Sequence, residues 1–184
     1  LPLVLDADGI NAFAGRAGDL AKRRVETILT PHPGELARLL GISTAQILED
    51  RIAAARGAAE ETEAIVVLKG RLTLVASGTA VFVNPTGNPG MATGGTGDVL
   101  TGLIAGLIAQ GLDALDATLL AVYVHGLAGD LAASRIGETA LAAGDLIEML
   151  PAALAALGNG EEDGDEDGHE HAPERGHGRH PHVR

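Results

Sequence analysis

The sequence contains no cysteine and no tryptophan, and only 2% of its 184 residues are aromatic. The lack of cysteine excludes disulfides, thiolate metal ligands, iron–sulfur clusters and cysteine nucleophiles. Because 46% of the residues are nevertheless hydrophobic, the core must be built from Ala, Val, Leu and Ile. The 26 glycines are about twice the usual share of roughly 7%, which indicates a close-packed α/β protein.

Basic residues are also scarce. The chain has 13 Lys and Arg against 25 Asp and Glu, so its formal charge is −12, and we expect no nucleic-acid partner. No apolar run approaches the roughly 20 residues of a membrane span, and no basic segment followed by an apolar one opens the chain. The expectation is a cytoplasmic protein without a membrane partner.

The composition changes near the C-terminus. Residues 1–157 are predicted to form one domain, and residues 158–184 an acidic, histidine-rich tail that is disordered because it has almost nothing apolar to bury. Five of the seven histidines of the chain lie in this tail: His169, His171, His177, His180 and His182. Imidazoles among carboxylates suit nickel, copper or zinc, although a solvated tail with incidental metal affinity is the favoured interpretation.

Short β-branched runs alternate with longer amphipathic stretches in residues 1–157, the pattern of βα units around a largely parallel sheet. We predict strands near 2–6, 25–29, 64–68, 72–76 and 80–84, and helices near 33–41, 43–61, 97–110, 114–135 and 144–157. The last two strands flank residues 77–79 and are predicted to form an antiparallel edge hairpin. The helix near 97–110 is predicted to lie against the sheet, with Gly102 and Gly106 allowing close approach of a neighbour.

The strongest local signal is the glycine-rich loop over residues 84–98, which leads directly into this helix. Gly94, Gly95 and Gly97 leave backbone N–H groups unobstructed, and a helix N-terminus with free N–H groups binds anions such as a phosphate in transfer. Asp98 follows in the first turn. A carboxylate beside a phosphate site suggests a general base, and the alternative is an acid that merely caps the helix.

Four segments, in this order along the chain, resemble the ribokinase-like superfamily and, more narrowly, the NAD(P)H-hydrate dehydratases. The segments are Asp6–Asn11 (DADGIN), Thr30–Glu35 (TPHPGE), Lys69-Gly70 and Asn84–Gly102 (NPTGNPGMATGGTGDVLTG). The resemblance covers about residues 1–157. It implies an α/β fold, a ribokinase-like three-layer αβα sandwich with a mostly parallel central sheet. A GTGD loop alone is shared with vitamin and sugar kinases, so a ribokinase-like small-molecule kinase is the alternative enzyme.

The resemblance also implies a reaction. ADP or ATP phosphorylates the hydroxyl of the (6S) hydrate of NADH or NADPH, and loss of phosphate restores the dihydronicotinamide. Such a phosphoryl transfer is expected to need Mg²⁺, although the sequence offers no unambiguous ligand set. Which of the two nucleotides is preferred is not readable from the sequence, and a homo-oligomer is expected because the family commonly assembles.

Individual residues take roles from the resemblance. Asp98 is implied to be the catalytic acid/base that contacts the hydrate, and His32 to bind the hydrated nucleotide. The transferred phosphoryl group is implied to lie in an anion hole of Gly94, Gly95, Thr96 and Gly97. The adenine nucleotide is implied to contact Lys69, Gly70, Arg71, Leu72 and Thr73, with Lys69 at the carboxyl end of a strand, where ligands bind in open α/β sheets.

Other polar residues are interpreted from the sequence alone. If the strand continues past Leu5, only one of Asp6 and Asp8 can face the site, and we favour Asp8 and Asn11 as substrate-side groups with Asp6 structural. Glu35 is expected to cap a helix or to lie beside a magnesium ion. His125, in an Ala- and Leu-rich helix, is interpreted as a core histidine rather than a ligand.

The chain departs from the family pattern at its start. Family members have further strands of the same sheet, a GPG-type loop and hydrate-contacting residues before the DADGIN segment, and many are fused to an epimerase domain. Leu1 is therefore expected to be the cut end of a longer protein, with the N-terminal part of the domain missing. A nucleotide-binding remnant or metal-binding module without catalysis is the remaining alternative.

Overall fold

The computed structural model describes residues 1–158. The predictions for the acidic tail and its five histidines lie outside the described residues. Five strands form one mixed sheet, in the order of the chain. They are β1 (Leu3–Leu5), β2 (Thr27–Leu29), β3 (Ile65–Leu68), β4 (Leu74–Ser77) and β5 (Ala80–Val83). β1, β2 and β3 run parallel to one another, whereas β4 and β5 are antiparallel to their neighbours.

Seven α-helices surround this sheet within the described residues. They are α1 (Ala7–Asn11), α2 (Pro33–Leu40), α3 (Thr44–Glu49), α4 (Arg51–Thr62), α5 (Thr96–Ala109), α6 (Ala114–Ile136) and α7 (Ala143–Gly158). Short 3-10 helices occur at Ala17–Lys22, Pro89–Met91 and Glu138–Ala140. The predicted hairpin is confirmed, with a two-residue loop between β4 and β5 in which Gly78 has a φ of 53°.

The sheet has helices on both faces, because its central strand is apolar on both sides. On β3, Val66 and Leu68 pack into a cluster with α2, α3 and α4. Ile65 and Val67 point the other way and pack against α5 and α6. Each such buried side chain contributes roughly 1.5–3 kcal/mol. The helix–sheet–helix layering that the sequence predicted is therefore present, and α7 packs outside α6 in a third cluster.

Helix α6 corrects one expectation about the membrane. By length and composition this 23-residue helix is apolar enough to span a bilayer, although half of its most apolar window is buried in the protein. Its buried positions include Ala121, Val124, Ala128 and Ala132. Since core helices pass the same test, the apolar character of α6 is explained by its packing between α5 and α7.

Two local predictions were wrong and one assumption does not hold, each for an identifiable reason. The helix predicted over 43–61 is two helices, because Asp50 leaves the helical conformation and its side chain accepts a hydrogen bond from Ala53 N–H at 2.9 Å, as a helix N-cap does. The strand does not continue past Leu5, since α1 begins at Ala7. No neighbouring element packs closely against Gly102 or Gly106, because no described atom outside the backbone of their own helix lies within 4 Å of a Cβ built at either position.

Candidate active site

A cavity of about 600 Å³ opens at the ends of β2 and β3, beside the N-terminus of α5. Residues predicted from three separate segments line it together: His32, Lys69, Gly70, Arg71, Leu72, Thr73, Thr96 and Gly97. Parallel strands bring their carboxyl ends to one edge of a sheet, which is why these segments meet there.

The N-terminus of α5 supplies hydrogen-bond donors beside this cavity. The first helical bond at this end runs from Val99 N–H to the carbonyl of Gly95 at 3.1 Å, so the N–H groups of the three preceding residues have no acceptor within the helix. Gly95 has a φ of 90°, which requires glycine, and the hydroxyl of Thr96 lies 2.9 Å from the Met91 carbonyl and 3.0 Å from that of Thr93. The loop is thus held in a form that can bind an anion.

Asp98 is exposed in the first turn of α5. Within residues 1–158 its carboxylate accepts no hydrogen bond and forms no ion pair, so the capping interpretation is not realised. A carboxylate that is free of structural partners, and lies beside three unbonded N–H groups, is available for proton transfer.

Asp6 and Lys69 form an ion pair directly under this turn. Lys69 Nζ lies 2.8 Å from Asp6 Oδ1 and 4.0 Å from Glu35 Oε2, and Thr101 Oγ1 donates to Asp6 Oδ2 at 3.3 Å. Burial alone would raise the pKa of Asp6, but its hydrogen bond to Lys69 and the charge of that ammonium lower the pKa overall. The expectation that Asp6 is structural and Asp8 faces the site is corrected in part: Asp8 is exposed on α1, and Asp6 reaches the cluster beside Gly97.

His32 is both a helix cap and part of the cavity wall. Its Nδ1 accepts hydrogen bonds from Gly34 N–H at 3.0 Å and Glu35 N–H at 3.3 Å, while Glu35 Oε2 accepts from His32 N–H at 2.8 Å. This capping box fixes the ring at the start of α2, although the side chain stays half exposed. Of the two roles predicted for Glu35, the cap is the one observed.

His125 of α6 was interpreted as a core histidine, and the structure places it between the core and the cavity. The ring is largely buried and its Nε2 lies 2.8 Å from the carbonyl oxygen of Thr96, so Nε2 carries the proton. Burial lowers the pKa of His125. The ring also lines the cavity. A polar residue one turn from the buried small residues Ala121 and Gly129 was the available signal.

The rest of the glycine-rich loop is fastened to α6. Asp130 accepts from Gly87 N–H at 2.8 Å and from the Asn88 side chain at 2.9 Å, and Thr86 Oγ1 donates to the carbonyl of Tyr123 at 2.9 Å. These contacts hold Thr86, Gly87 and Asn88 in place in the cavity wall.

Four predicted residues, Asn11, Gly94, Gly95 and Asp98, are not part of the cavity wall, although Asp98 directly follows the wall-forming Gly97. The side-chain oxygen of Asn11 accepts from Arg38 Nε at 2.9 Å, which turns it toward α2. Gly94 and Gly95 lie in the loop next to the wall-forming Thr96 and Gly97. The described residues also contain no group of three His, Asp or Glu side chains that could hold a metal ion. They therefore do not form a dedicated magnesium cage, and Mg²⁺ usually needs only one or two carboxylates plus substrate phosphates.

A three-layer α/β fold with free N–H groups at a helix N-terminus beside its strand ends is found in the ribokinase-like class of nucleotide-dependent enzymes. The sequence matches the NAD(P)H-hydrate dehydratase family over residues 1–152, and the chain belongs to that family.

Individual relatives agree with this assignment. The chain is 51% identical to a bifunctional NAD(P)H-hydrate repair enzyme of Moorella thermoacetica, over 85% of this chain and 30% of the relative. It is 47% identical to an ADP-dependent (S)-NAD(P)H-hydrate dehydratase of Neisseria meningitidis, over 83% of this chain and 52% of the relative. The chain thus spans between about a third and half of these relatives.

A solved structure shows the same fold. The ADP/ATP-dependent NAD(P)H-hydrate dehydratase of Bacillus subtilis, co-crystallised with ATP and Mg²⁺, superposes with a TM-score of 0.77 at 38% identity, over 85% of this chain and 55% of that one. The ribokinase-like fold predicted from the motifs is confirmed.

Proposed function

We propose that the protein is a hydro-lyase that uses ADP or ATP to dehydrate (6S)-hydrated NADH or NADPH. The nucleotide phosphorylates the hydrate hydroxyl. Loss of phosphate then regenerates NADH or NADPH, with AMP or ADP as the second product. Asp98 carries this proposal, because it is an unpartnered carboxylate beside the free N–H groups of α5.

Each group at the site has a distinct role in the proposed reaction. Asp98 takes the proton of the hydrate hydroxyl as it attacks the terminal phosphorus. The N–H groups at the start of α5 stabilise the transferred phosphoryl group, helped by the positive end of the helix. Lys69, Gly70, Arg71, Leu72 and Thr73 hold the nucleotide, and His32 contacts the hydrate. Mg²⁺, held by the nucleotide phosphates, would neutralise part of their charge.

The test replaces one oxygen of Asp98. We expect Asp98→Asn to lower kcat for hydrate repair by about 10²–10⁴-fold, the usual contribution of a general base, and to change the ADP dissociation constant by less than about twofold. The reduced nucleotide produced from hydrate and ADP is followed by its absorbance. The matched control is Glu148→Gln, an exposed acid on α7. Turnover within tenfold of the unaltered protein would remove Asp98 from proton transfer.

Product analysis separates this function from a small-molecule kinase of the same fold. A dehydratase releases inorganic phosphate and reduced nucleotide in equal amounts, whereas a kinase leaves a stable phosphorylated alcohol. Adenine nucleotide as co-substrate is supported by the names of the relatives. The preference between ADP and ATP is open, and a cytoplasmic location and a homo-oligomeric state stay predictions.

A further inference from the structure

Arg51, the first residue of α4, reaches under the loop that follows β3. Its Nη1 donates to the carbonyl of Arg71, and its Nη2 donates to the carbonyl of Leu68 at 3.3 Å. Its Nε is buried without a hydrogen-bond partner among the described residues. The guanidinium therefore holds the last residue of β3 and the middle of the loop over Lys69–Thr73, whose residues line the cavity.

Arg51 has no carboxylate partner within residues 1–158. Its charge is balanced only by carbonyl dipoles, and burial lowers its pKa without discharging a group that stays protonated in proteins. Placing a partly buried cation without an acid is costly. In the structure, this unpaired guanidinium fixes the conformation of the loop after β3 through its two carbonyl hydrogen bonds.

The loop is in a conformation that needs support. Leu72 has a φ of 52°, an uncommon value for a residue with a side chain, and Gly70 has a φ of 135°. A Cβ on Gly70 would lie 3.3 Å from Arg51 Nη2, so the guanidinium fits directly against a residue without a side chain. Besides Arg51, the hydroxyl of Thr73 contributes by donating to the Gly70 carbonyl at 3.0 Å.

The hydrogen bond from Arg51 to the Arg71 carbonyl also orients the N–H of Leu72. In a trans peptide the N–H of one residue points opposite to the carbonyl of the residue before it. The carbonyl of Arg71 faces Arg51, so the N–H of Leu72 points away from Arg51, and Leu72 itself lines the cavity. Within the described residues this N–H has no acceptor.

We propose that Arg51 is a positioning residue for nucleotide binding: it holds the Lys69–Thr73 loop so that the N–H of Leu72 donates to an acceptor atom of the adenine nucleotide. The ligand class rests on the proposed function. Arg51 itself does not touch the nucleotide and acts through the backbone.

The experiment compares Arg51→Met and Arg51→Lys with Arg56→Met, which removes an exposed arginine from the same helix. We expect Arg51→Met to weaken ADP binding about tenfold and to raise KM for ADP similarly, because a hydrogen bond to the nucleotide is misaligned. The kcat at saturating ADP should stay within about threefold, and Arg51→Lys should fall between Arg51→Met and the unaltered protein. A dissociation constant for ADP that matches that of Arg56→Met, or an equal loss of hydrate and ADP affinity, would overturn the proposal.

Hydrogen exchange of the unaltered protein gives a second readout that no folding defect can affect. Saturating ADP should slow exchange of the Leu72 amide at least tenfold, and unchanged exchange of that amide would overturn the proposal. Neither binding nor exchange requires turnover. If ADP protects Leu72 and Arg51→Met loses affinity while no hydrate is repaired, the proposed reaction is wrong and the role of Arg51 stands. If hydrate is repaired while Arg51→Met binds ADP normally, the proposed reaction stands and the role of Arg51 is wrong.

Discussion

The glycines of α6 and those at the start of α5 serve opposite purposes. A Cβ on Gly126 would lie 2.2 Å from Thr86 Oγ1 and 2.7 Å from the Thr86 carbonyl carbon. A Cβ on Gly129 would lie 2.2 Å from Met91 Sδ. The glycines of α6 therefore let the loop over residues 84–91 lie directly on the helix.

Gly94 and Gly97, at the start of α5, have no backbone packed against them in this way. No described atom lies within 4 Å of a Cβ on Gly94, and one on Gly97 would meet Lys69 Nζ at 3.2 Å and Asp6 Oδ2 at 3.4 Å. The comparison teaches that a missing side chain can close a contact or expose backbone donors. Only the neighbours of the glycine distinguish the two cases, and substitutions at each position separate them experimentally.

The largest expected effect comes from adding a methyl group at the start of α5. Gly97→Ala should lower kcat/KM for hydrate repair about 100-fold, because a methyl beside the anion site displaces the phosphoryl group or Lys69. The melting temperature should change little, since the methyl meets the end of a flexible side chain. Activity is compared with thermal unfolding of the same sample. A loss of stability without loss of activity would show that Gly97 serves packing.

Adding a methyl group to the glycines of α6 should instead lower stability. Gly126→Ala is expected to lower the free energy of unfolding by about 1–3 kcal/mol, because the methyl meets the backbone of Thr86. Gly129→Ala should cost less, since the Met91 side chain can move. Urea denaturation measures both variants, with Gly106→Ala as the control. At that exposed helical position the same change should stabilise by about 0.5–1 kcal/mol, and equal destabilisation in all three would contradict the comparison.

The ion pair under Gly97 should appear in the acid branch of the stability curve. Because the folded pKa of Asp6 lies below its ordinary value of 3.8, its contribution is complete above that pH and is lost as the pH falls through the lowered folded value. Asp6→Asn should therefore cost about 1 kcal/mol at pH 7 and show a shallower loss of stability below pH 3.8. Asp19→Asn, which removes the exposed partner of Lys22, is the control. Parallel curves for Asp6→Asn and the unaltered protein would exclude the pair as a source of stability.

The smallest expected effect on stability concerns His125, which connects α6 to the start of α5 through the Thr96 carbonyl. Its folded pKa lies below the ordinary 6.5, so as the pH falls through 6.5 the unfolded chain takes up a proton that the folded chain does not, and stability decreases. Besides burial, the nearby positive charge of Lys69, in the loop after β3, lowers the pKa of His125. His125→Gln, which keeps a donor for the Thr96 carbonyl, should flatten this decrease by less than about 1.4 kcal/mol between pH 7 and pH 5. A decrease of unchanged size would assign it to other groups.

Much of the architecture could be predicted from local patterns. The five strands, the β4–β5 hairpin and the burial of α5 follow from β-branched runs, a turn sequence and helical periodicity, which neighbouring residues determine. The break at Asp50 was missed because a helical pattern continues through it, and the cap becomes visible only in the backbone. Gly126 packs against the loop at Thr86, and composition could not tell which segment lies opposite that glycine.

The candidate site divides in the same way. The amino-acid sequence by itself determined the glycine-rich loop, the acid that follows it, the capping residues around His32 and the family to which these motifs belong. The tertiary structure alone decided that Asp6 rather than Asp8 meets Lys69, that His125 reaches the carbonyl of Thr96, and that Arg51 supports the loop after β3. The physical reason is separation along the chain: Asp6 and Lys69 are 63 positions apart, Thr96 and His125 are 29 apart, and Arg51 and Arg71 are 20 apart. Such contacts form only when the sheet and its two helical layers bring distant segments together.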